Sequence, residues 1–263
     1  MQGRLSNMVG SKFQYFPISE WENEFSHSKK LGFDGVEWIV SNFSNPLFSL
    51  PFRKIIQKVL KKNNQKIISI SLDIFMYEHL KIMTTENVIW ISKQLSKAVK
   101  YFKIKRVSIP IEENGRFNTP KEMQETIKKI QVLNNSLKYD TKVAIETDYN
   151  SNIVNKLIYR KNLENLGIVL DLGNTNAHGF DIKKFLEKFK NKIYSIHIKY
   201  RPEFYGKSKM IPKNFKILKT FFNNVDSLEE LNDICFQTYK SDKNFMKDIK
   251  NSIINYNINY EKK

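Results

Sequence analysis

Eight short apolar segments, distributed along the whole chain and separated by amphipathic stretches, constrain the fold more than any other feature of the sequence. All of them except the very short first one, MQGRL, contain several β-branched residues and show little alternation of polar and apolar side chains. Continuous apolar runs of this kind are typical of strands that are buried on both faces of a parallel sheet. The predicted strands are 1–5, 35–40, 66–73, 105–111, 142–148, 167–172, 193–199 and 233–239.

The stretches between these strands carry the sequence signals of helices. The segment 19–32 opens on Ser19, has glutamates in its first turn and ends at Gly32, which is a typical pair of helix boundaries. The next stretch begins with Pro51 and then places apolar residues at helical spacing. Helices are predicted at 19–32, 51–64, 84–103, 119–138, 150–163, 181–190, 212–224 and 242–256.

Eight strands that alternate with eight helices form the pattern of a closed barrel. We therefore predict the α/β class and a single (β/α)8 TIM barrel domain that covers residues 1–263. A doubly wound open sheet is the alternative, but it requires a glycine-rich phosphate loop after its first strand, and the sequence has none. No linker, low-complexity segment or repeat divides the chain, and its length suits one barrel.

The net charge of +17 is the one feature that suggests nucleic acid as a partner. Only six of the 44 basic residues are arginines, however, and the lysines are interspersed with glutamates on the predicted helices. Proteins that read nucleic acids concentrate their charge and use arginine for bidentate contacts. We therefore predict no specific nucleic-acid partner.

Three features of the sequence favour a cytoplasmic location. The single cysteine, Cys235, excludes an internal disulfide and suits a reducing compartment. No apolar run reaches the roughly 18 residues that a membrane span requires. The N-terminal stretch MQGRLSNMVG lacks the hydrophobic region of a signal peptide. We therefore also predict no membrane partner.

Most of the side chains that can do chemistry stand at or just beyond the C-terminal ends of the predicted strands, which is where the active sites of TIM barrels lie. Glu146, Asp171 and His197 stand on three consecutive strands, and Gln237 stands on the next one. The other candidates at this end of the barrel are Glu37, Asp73, Glu112, Asn174, Lys199 and Arg201.

Convergence of these oxygen and nitrogen donors predicts a metal site. A buried carboxylate costs several kcal/mol unless it is paired, hydrogen-bonded or bound to a metal. We expect one divalent ion, Mn²⁺, Mg²⁺, Co²⁺ or Zn²⁺, held by Glu146, Asp171, His197 and Gln237. Structural interpretations stay open, since His197 could be a core histidine, Asp171 could cap the following helix, and Glu37 could pair with a cation across the barrel mouth.

The ordered set of these segments resembles the xylose isomerase-like TIM barrels, and specifically the sugar phosphate isomerase/epimerase family. The resemblance covers nearly the whole chain, and no single motif in it is specific. It rests on MQGRLS, FPISEWENEFSHSKKLGFDGVEWIV, SLDIFM, VAIETD, GIVLDLGNTNAHGFD, SIHIKYR and DICFQTYKS, in the order and spacing of that family.

This resemblance implies a single divalent metal at Glu146, Asp171, His197 and the position of Gln237. It also implies proton transfer next to the carbonyl of a sugar or sugar phosphate, with Glu146 as one base and the metal polarising the carbonyl. Lys199, with Arg201 beyond it, would then hold a phosphate or carboxylate of the substrate. Homodimers and homotetramers are common among such proteins.

Four departures from the family pattern surround this site. Gln237 replaces the acid of the last strand, and an amide oxygen can bind a metal but cannot act as a general base. Asn174 replaces a histidine, and Tyr200 replaces an acid. The glycine-rich stretch expected after the seventh strand is RPEFYGKSKMIPKN, with Gly206 as its only glycine. A second base must therefore come from elsewhere, and the candidates are Glu112, Glu37 and Asp73.

The resemblance predicts an enzyme, a metal-dependent isomerase or epimerase, and three other functions stay open. One base and a metal suffice for a lyase or dehydratase on the same site. Loss of the second carboxylate favours a catalytically degenerate barrel that binds a sugar. A phosphodiesterase of the endonuclease IV type suits the positive charge, but its cluster of zinc ions needs many histidines. Only His197, among four histidines, stands on a predicted strand.

Overall fold

Seven parallel strands pair in the order in which they follow one another along the chain. A computed structural model describes residues 1–2, 5–7, 9–10, 15–137, 141–163, 165–203, 208–237 and 245–261 of the protein. The strands are β1 (Gly35–Ile39), β2 (Lys66–Ser71), β3 (Arg106–Ile111), β4 (Lys142–Thr147), β5 (Leu166–Asp171), β6 (Ile193–Ile198) and β7 (Asp233–Phe236). They match the second to eighth predicted strands to within two residues at each end, not counting residues 238–239 of the last predicted strand, which lie outside the described residues.

The two N-terminal residues bridge the gap between β1 and β7. The amide of Gln2 donates to the carbonyl of Phe236 at 3.1 Å, and the amide of Glu37 donates to the carbonyl of Met1 at 2.7 Å. Gln2 also forms a parallel bridge with Glu37. The strand predicted at 1–5 is therefore present as a bridge, while residues 3–4 lie outside the described residues. The predicted α/β barrel is confirmed, as a nearly closed sheet of seven strands.

Ten α-helices lie among the described residues, mostly between successive strands. They are α1 (Trp21–Lys30), α2 (Leu50–Asn63), α3 (Ile74–Tyr77), α4 (Thr85–Phe102), α5 (Pro120–Ser136), α6 (Ser151–Ile158), α7 (Leu172–Ala177), α8 (Ile182–Phe189), α9 (Lys216–Phe222) and α10 (Phe245–Glu261). None of these helices has both the length and the apolar character that crossing a membrane would take.

Local sequence signals account for the helix boundaries. The Thr119 side chain accepts from the amide of Glu122, and the Glu122 carboxylate accepts from the amide of Thr119, so that α5 begins with a capping box. The short helices α3 and α7 were not predicted, and α6 ends at Ile158, five residues before its predicted end at 163. Residues 242–244, where the last helix was predicted to begin, lie outside the described residues.

A polar cluster lies inside the barrel, where it includes the first residues of β3 and β7. Arg106, on β3, is fully buried, and its guanidinium donates to both carboxylate oxygens of Asp233 at 2.9 Å. It also donates to Glu37 at 2.7 Å and to Ser69 at 2.9 Å. Burial lowers the pKa of Arg106, but the two carboxylates raise it above its ordinary value. The cluster therefore connects β3 with β1 and β7 through a paired charge.

Candidate active site

Strand pairing brings the predicted metal donors together. Asp171 and His197 are paired residues at the ends of β5 and β6, and Glu146 is paired with Val169 one strand away. Ligand atoms of Glu146, Asp171 and His197 all lie within 4.8 Å of one another. Gln237 follows β7, and its amide nitrogen donates to Glu146 Oε1 at 3.3 Å. All four side chains are buried, so the structure places the predicted donors in a single cluster.

His197 lies between two carboxylates. Its Nδ1 is 2.9 Å from Glu146 Oε1, and its Nε2 is 3.2 Å from Glu37 Oε1. Burial lowers the pKa of the His197 imidazole, but the two carboxylates raise it well above its ordinary value. Burial raises the pKa of Glu146, but the charge and hydrogen bond of His197 lower it to about 2. Glu146 is therefore an ionised carboxylate.

Glu37 is held in place from the side of the barrel interior. Its Oε2 accepts from Arg106 at 2.7 Å and from Ser69 at 2.8 Å. Burial raises the pKa of Glu37, but Arg106 and His197 bring it well below its usual range. Pairing with a cation was one of the interpretations left open for Glu37, and the partners are Arg106 and His197. These contacts aim the Glu37 carboxylate at the imidazole of His197, and its expected role in substrate binding stays a prediction.

Asp171 has the helix-capping role that had been left open for it, and it also contacts a buried lysine. Its Oδ1 accepts from the amide of Asn174 at 2.9 Å and so caps α7. Its Oδ2 contacts the ammonium group of Lys199. The same ammonium donates to Gln237 Oε1 at 2.6 Å. Lys199 is only 1% exposed and lies among the predicted metal donors, and its expected contact with the substrate stays a prediction.

A hydrogen-bonded chain of Glu112, Asn174 and Arg201 adjoins this cluster. The Asn174 amide nitrogen donates to Glu112 Oε2 at 2.6 Å, and Arg201 Nη1 donates to Asn174 Oδ1 at 2.6 Å. Burial, together with the charge of Glu146, raises the pKa of Glu112 well above its ordinary value. Glu112 and Glu146 are therefore two buried acids whose pKa values are shifted in opposite directions. Arg201 also lies 3.6 Å from the carboxylate of Glu113.

Three residues had been proposed as the second base, and their surroundings differ. Glu37 is paired with Arg106 and His197. Asp73 lies on the β2 side, where its Oδ1 accepts from the Ser71 hydroxyl at 2.5 Å. Glu112 has a pKa raised well above its ordinary value by burial and by the charge of Glu146. Pairs of acids whose pKa values are pushed apart in this way are typical of acid–base sites.

The donor set fits a divalent cation. Two carboxylates and an imidazole converge within 4.8 Å, which suits Mg²⁺, Mn²⁺ or Zn²⁺. The second nitrogen of His197 faces Glu37, and metal-binding histidines usually present their free nitrogen to a carboxylate in this manner. Residues 204–207, which include Gly206 of the predicted substrate loop, lie outside the described residues.

Sequence reasoning missed Arg106, Asp233 and Cys235 near this site. Cys235 forms a second group of donors with Glu37 and His197, again within 4.8 Å. Arg106 is the first residue of a strand that otherwise has no charged residue, and a cation in that position requires a buried acid as a partner. That requirement is the signal that would have pointed to Glu37 and Asp233.

Comparisons with known proteins agree with the barrel. No family model matches the sequence, and no curated protein matches it. Among solved structures, 3-keto-D-glucoside 4-epimerase YcjR from E. coli in its apo form aligns with a TM-score of 0.71 and 13% identity, covering 90% of this chain and 93% of that one. A xylose isomerase-like TIM barrel protein from Mycobacterium smegmatis in complex with magnesium gives 0.69 and 14%, with 96% and 92% covered.

A third similar structure is the probable 3-DHS dehydratase AsbF from Bacillus anthracis, described as involved in petrobactin synthesis. It aligns with a TM-score of 0.65 and 15% identity, covering 88% of this chain and 91% of that one. At identities this low the likeness shows the fold alone, a barrel similar to those of a xylose isomerase-like TIM barrel protein and a sugar phosphate isomerase/epimerase. The resemblance seen in the sequence is thereby confirmed for the fold.

Proposed function

We propose that this protein is a divalent-metal-dependent isomerase or epimerase that moves a proton next to the carbonyl of a small sugar or sugar phosphate. The observation that carries the proposal is the convergence of Glu146, Asp171 and His197 at the ends of three adjacent strands. Similar folds in an epimerase and in a magnesium-bound barrel support it.

In this proposal Glu146 is the general base and Glu112 is the general acid. Glu146 is an ionised carboxylate whose Oε1 is contacted by His197 and Gln237 when no metal is bound, and it accepts the substrate proton. Glu112, the acid with the raised pKa, donates a proton to the opposite face of the same carbon, so that this carbon loses one proton and gains one. Asn174 fixes the Glu112 carboxyl, and Arg201 holds Asn174. A metal bound by Glu146, Asp171, His197 and Gln237 supplies Lewis-acid polarisation of the carbonyl.

Deuterium exchange tests this proposal directly. The purified protein with Mn²⁺ is incubated in D₂O with a panel of ketoses, aldoses and their phosphates, and proton NMR follows exchange at the carbon next to the carbonyl. We expect exchange in the wild type and a loss of about 10²- to 10⁴-fold in Glu146→Gln, which is the usual contribution of a general base. Glu125→Gln, an exposed acid on α5, serves as the control and keeps the wild-type rate. Equal rates in wild type and Glu146→Gln would contradict the assignment.

A lyase or dehydratase on the same site is the second candidate. With Gln237 in place of an acid, Glu146, which contacts both His197 and Gln237, can act as the single base that elimination needs. The similarity of the fold to a probable dehydratase supports this reading. The same NMR experiment distinguishes the two, because elimination gives an unsaturated product and releases water.

A further inference from the structure

The Lys199 ammonium occupies half of the predicted metal ligand set. It contacts Asp171 Oδ2 and donates to Gln237 Oε1 at 2.6 Å, while its side chain is 1% exposed. We propose that Lys199 is an internal cation which neutralises the metal-free site and must leave Asp171 and Gln237 before a divalent ion can bind there. This inference rests on the proposed function, since it presupposes a site that takes a metal.

The charges around the ammonium explain why it stays buried. Glu146 and Asp171 both lie in this cluster, and two neighbouring buried carboxylates repel each other unless a cation lies between or beside them. Lys199 supplies that cation through direct contact with Asp171. The barrel therefore does not need a metal in order to bury its acids.

A glycine on α7 makes room for this arrangement. A Cβ atom at Gly173 would overlap Cγ of Lys199, and it would lie 3.0 Å from the Lys199 carbonyl oxygen and 3.2 Å from Asp171 Oδ1. Glycine is unfavourable inside a helix, and the backbone at Gly173 does not adopt a positive φ. The space that the lysine side chain fills is therefore the physical reason for a glycine at this position.

Displacement of the ammonium lowers the affinity for a metal. A divalent ion at Asp171 and Gln237 would stand where the ammonium now lies, and two cations cannot share the same oxygens. Binding must therefore move the Lys199 side chain out of contact with its partners. A neutral side chain at position 199 removes this competition.

Lysine-to-methionine variants test the inference, since methionine is flexible and similar in length. The wild type, Lys199→Met and Lys129→Met are titrated with MnCl₂, and the free ion is followed by electron paramagnetic resonance. Lys129 is a matched control, because it is also a buried lysine but its ammonium donates to the carbonyls of Leu80 and Lys81 at 2.9 and 3.1 Å. We expect Lys199→Met to bind Mn²⁺ at least about tenfold more tightly than the other two.

Thermal unfolding supplies a second measurement. Without metal, Lys199→Met unfolds at a lower temperature than wild type, because its carboxylates lose their cation. Added Mn²⁺ raises the melting temperature of Lys199→Met by more than it raises that of the wild type. If Lys199→Met does not fold, Lys199→Gln takes its place, because an amide can still donate to Asp171 without a charge.

The possible results separate the two proposals. Equal Mn²⁺ affinity in wild type and the neutral variant would overturn the role of Lys199 and leave the metal-dependent function standing. Binding by the neutral variant alone supports the role of Lys199 and contradicts metal dependence of the natural chain. Binding by neither protein overturns both proposals.

Discussion

Replacing Arg106 with methionine tests the polar cluster that holds Glu37 and therefore His197. The change removes a fully buried guanidinium that donates one hydrogen bond to Glu37 and two, from Nε and Nη2, to Asp233. Methionine fills much of the same space but donates no hydrogen bond. Two acids are then left inside the barrel, and Asp233 retains only the Ser195 hydroxyl, at 2.7 Å, from its described partners.

The size of the effect follows from the burial of the partners. Removal of one partner from a buried ion pair costs about 3–5 kcal/mol of stability. The side chain of Glu37 is only 2% exposed, so we expect loss of its partner Arg106 to cost this much. Asp233 is 13% exposed, so water relieves part of its loss. For a chain of this length a loss of 1 kcal/mol lowers the melting temperature by about 2–4 °C, so we expect a decrease of roughly 6–20 °C.

Urea denaturation followed by tryptophan fluorescence measures this loss. Arg53→Met is the control, because the buried Arg53 donates to the carbonyl of Leu47 at 3.4 Å instead of to a carboxylate. It should cost about 1 kcal/mol, the value of one hydrogen bond. Adding Asp233→Asn to Arg106→Met should restore part of the stability by removing an unpaired charge. Equal losses in the two single variants, or no recovery in the double variant, would refute the reasoning.

Three further changes probe the site and a helix cap. Gly173→Ala should lower the melting temperature by displacing Lys199, although alanine is the better helix former by about 1 kcal/mol; a higher melting temperature would contradict this. Gln237→Glu should tighten Mn²⁺ binding in a calorimetric titration by adding a carboxylate beside Glu146, and unchanged affinity would argue against ligation at this position. Thr119→Ala should cost about 1 kcal/mol in urea denaturation through loss of its cap, whereas no loss would show the capping box to be unimportant.

The order of the strands and helices could be predicted from the sequence because strands buried on both faces consist of continuous apolar residues. Seven of the eight predicted strands appear as named strands with nearly the predicted bounds. The first strand appears only through Met1 and Gln2 among the described residues, because its role is to bridge β1 and β7. The helices α3 and α7 have four and six residues, which is too short for a periodic pattern to show.

The proximity of Glu146, Asp171 and His197 was also predictable, since neighbouring parallel strands end at the same edge of a barrel. Their role as metal ligands stays a prediction. The direction of Lys199 was not predictable, because it depends on the space left by Gly173 on another element. Arg106 and Asp233 are 127 positions apart in the sequence. Local sequence patterns therefore could not predict that they pair.

This long separation has a consequence for the order in which the protein folds. Arg106 and Glu37 leave the ribosome well before Asp233, which is the first residue of the last strand. Closing a chain segment of this length costs conformational entropy before its contacts form. During synthesis we therefore expect an open sheet of β1 to β6, in which Arg106 can pair with Glu37 but not yet with Asp233. The addition of β7 then completes both the charge pairing and the closure of the sheet.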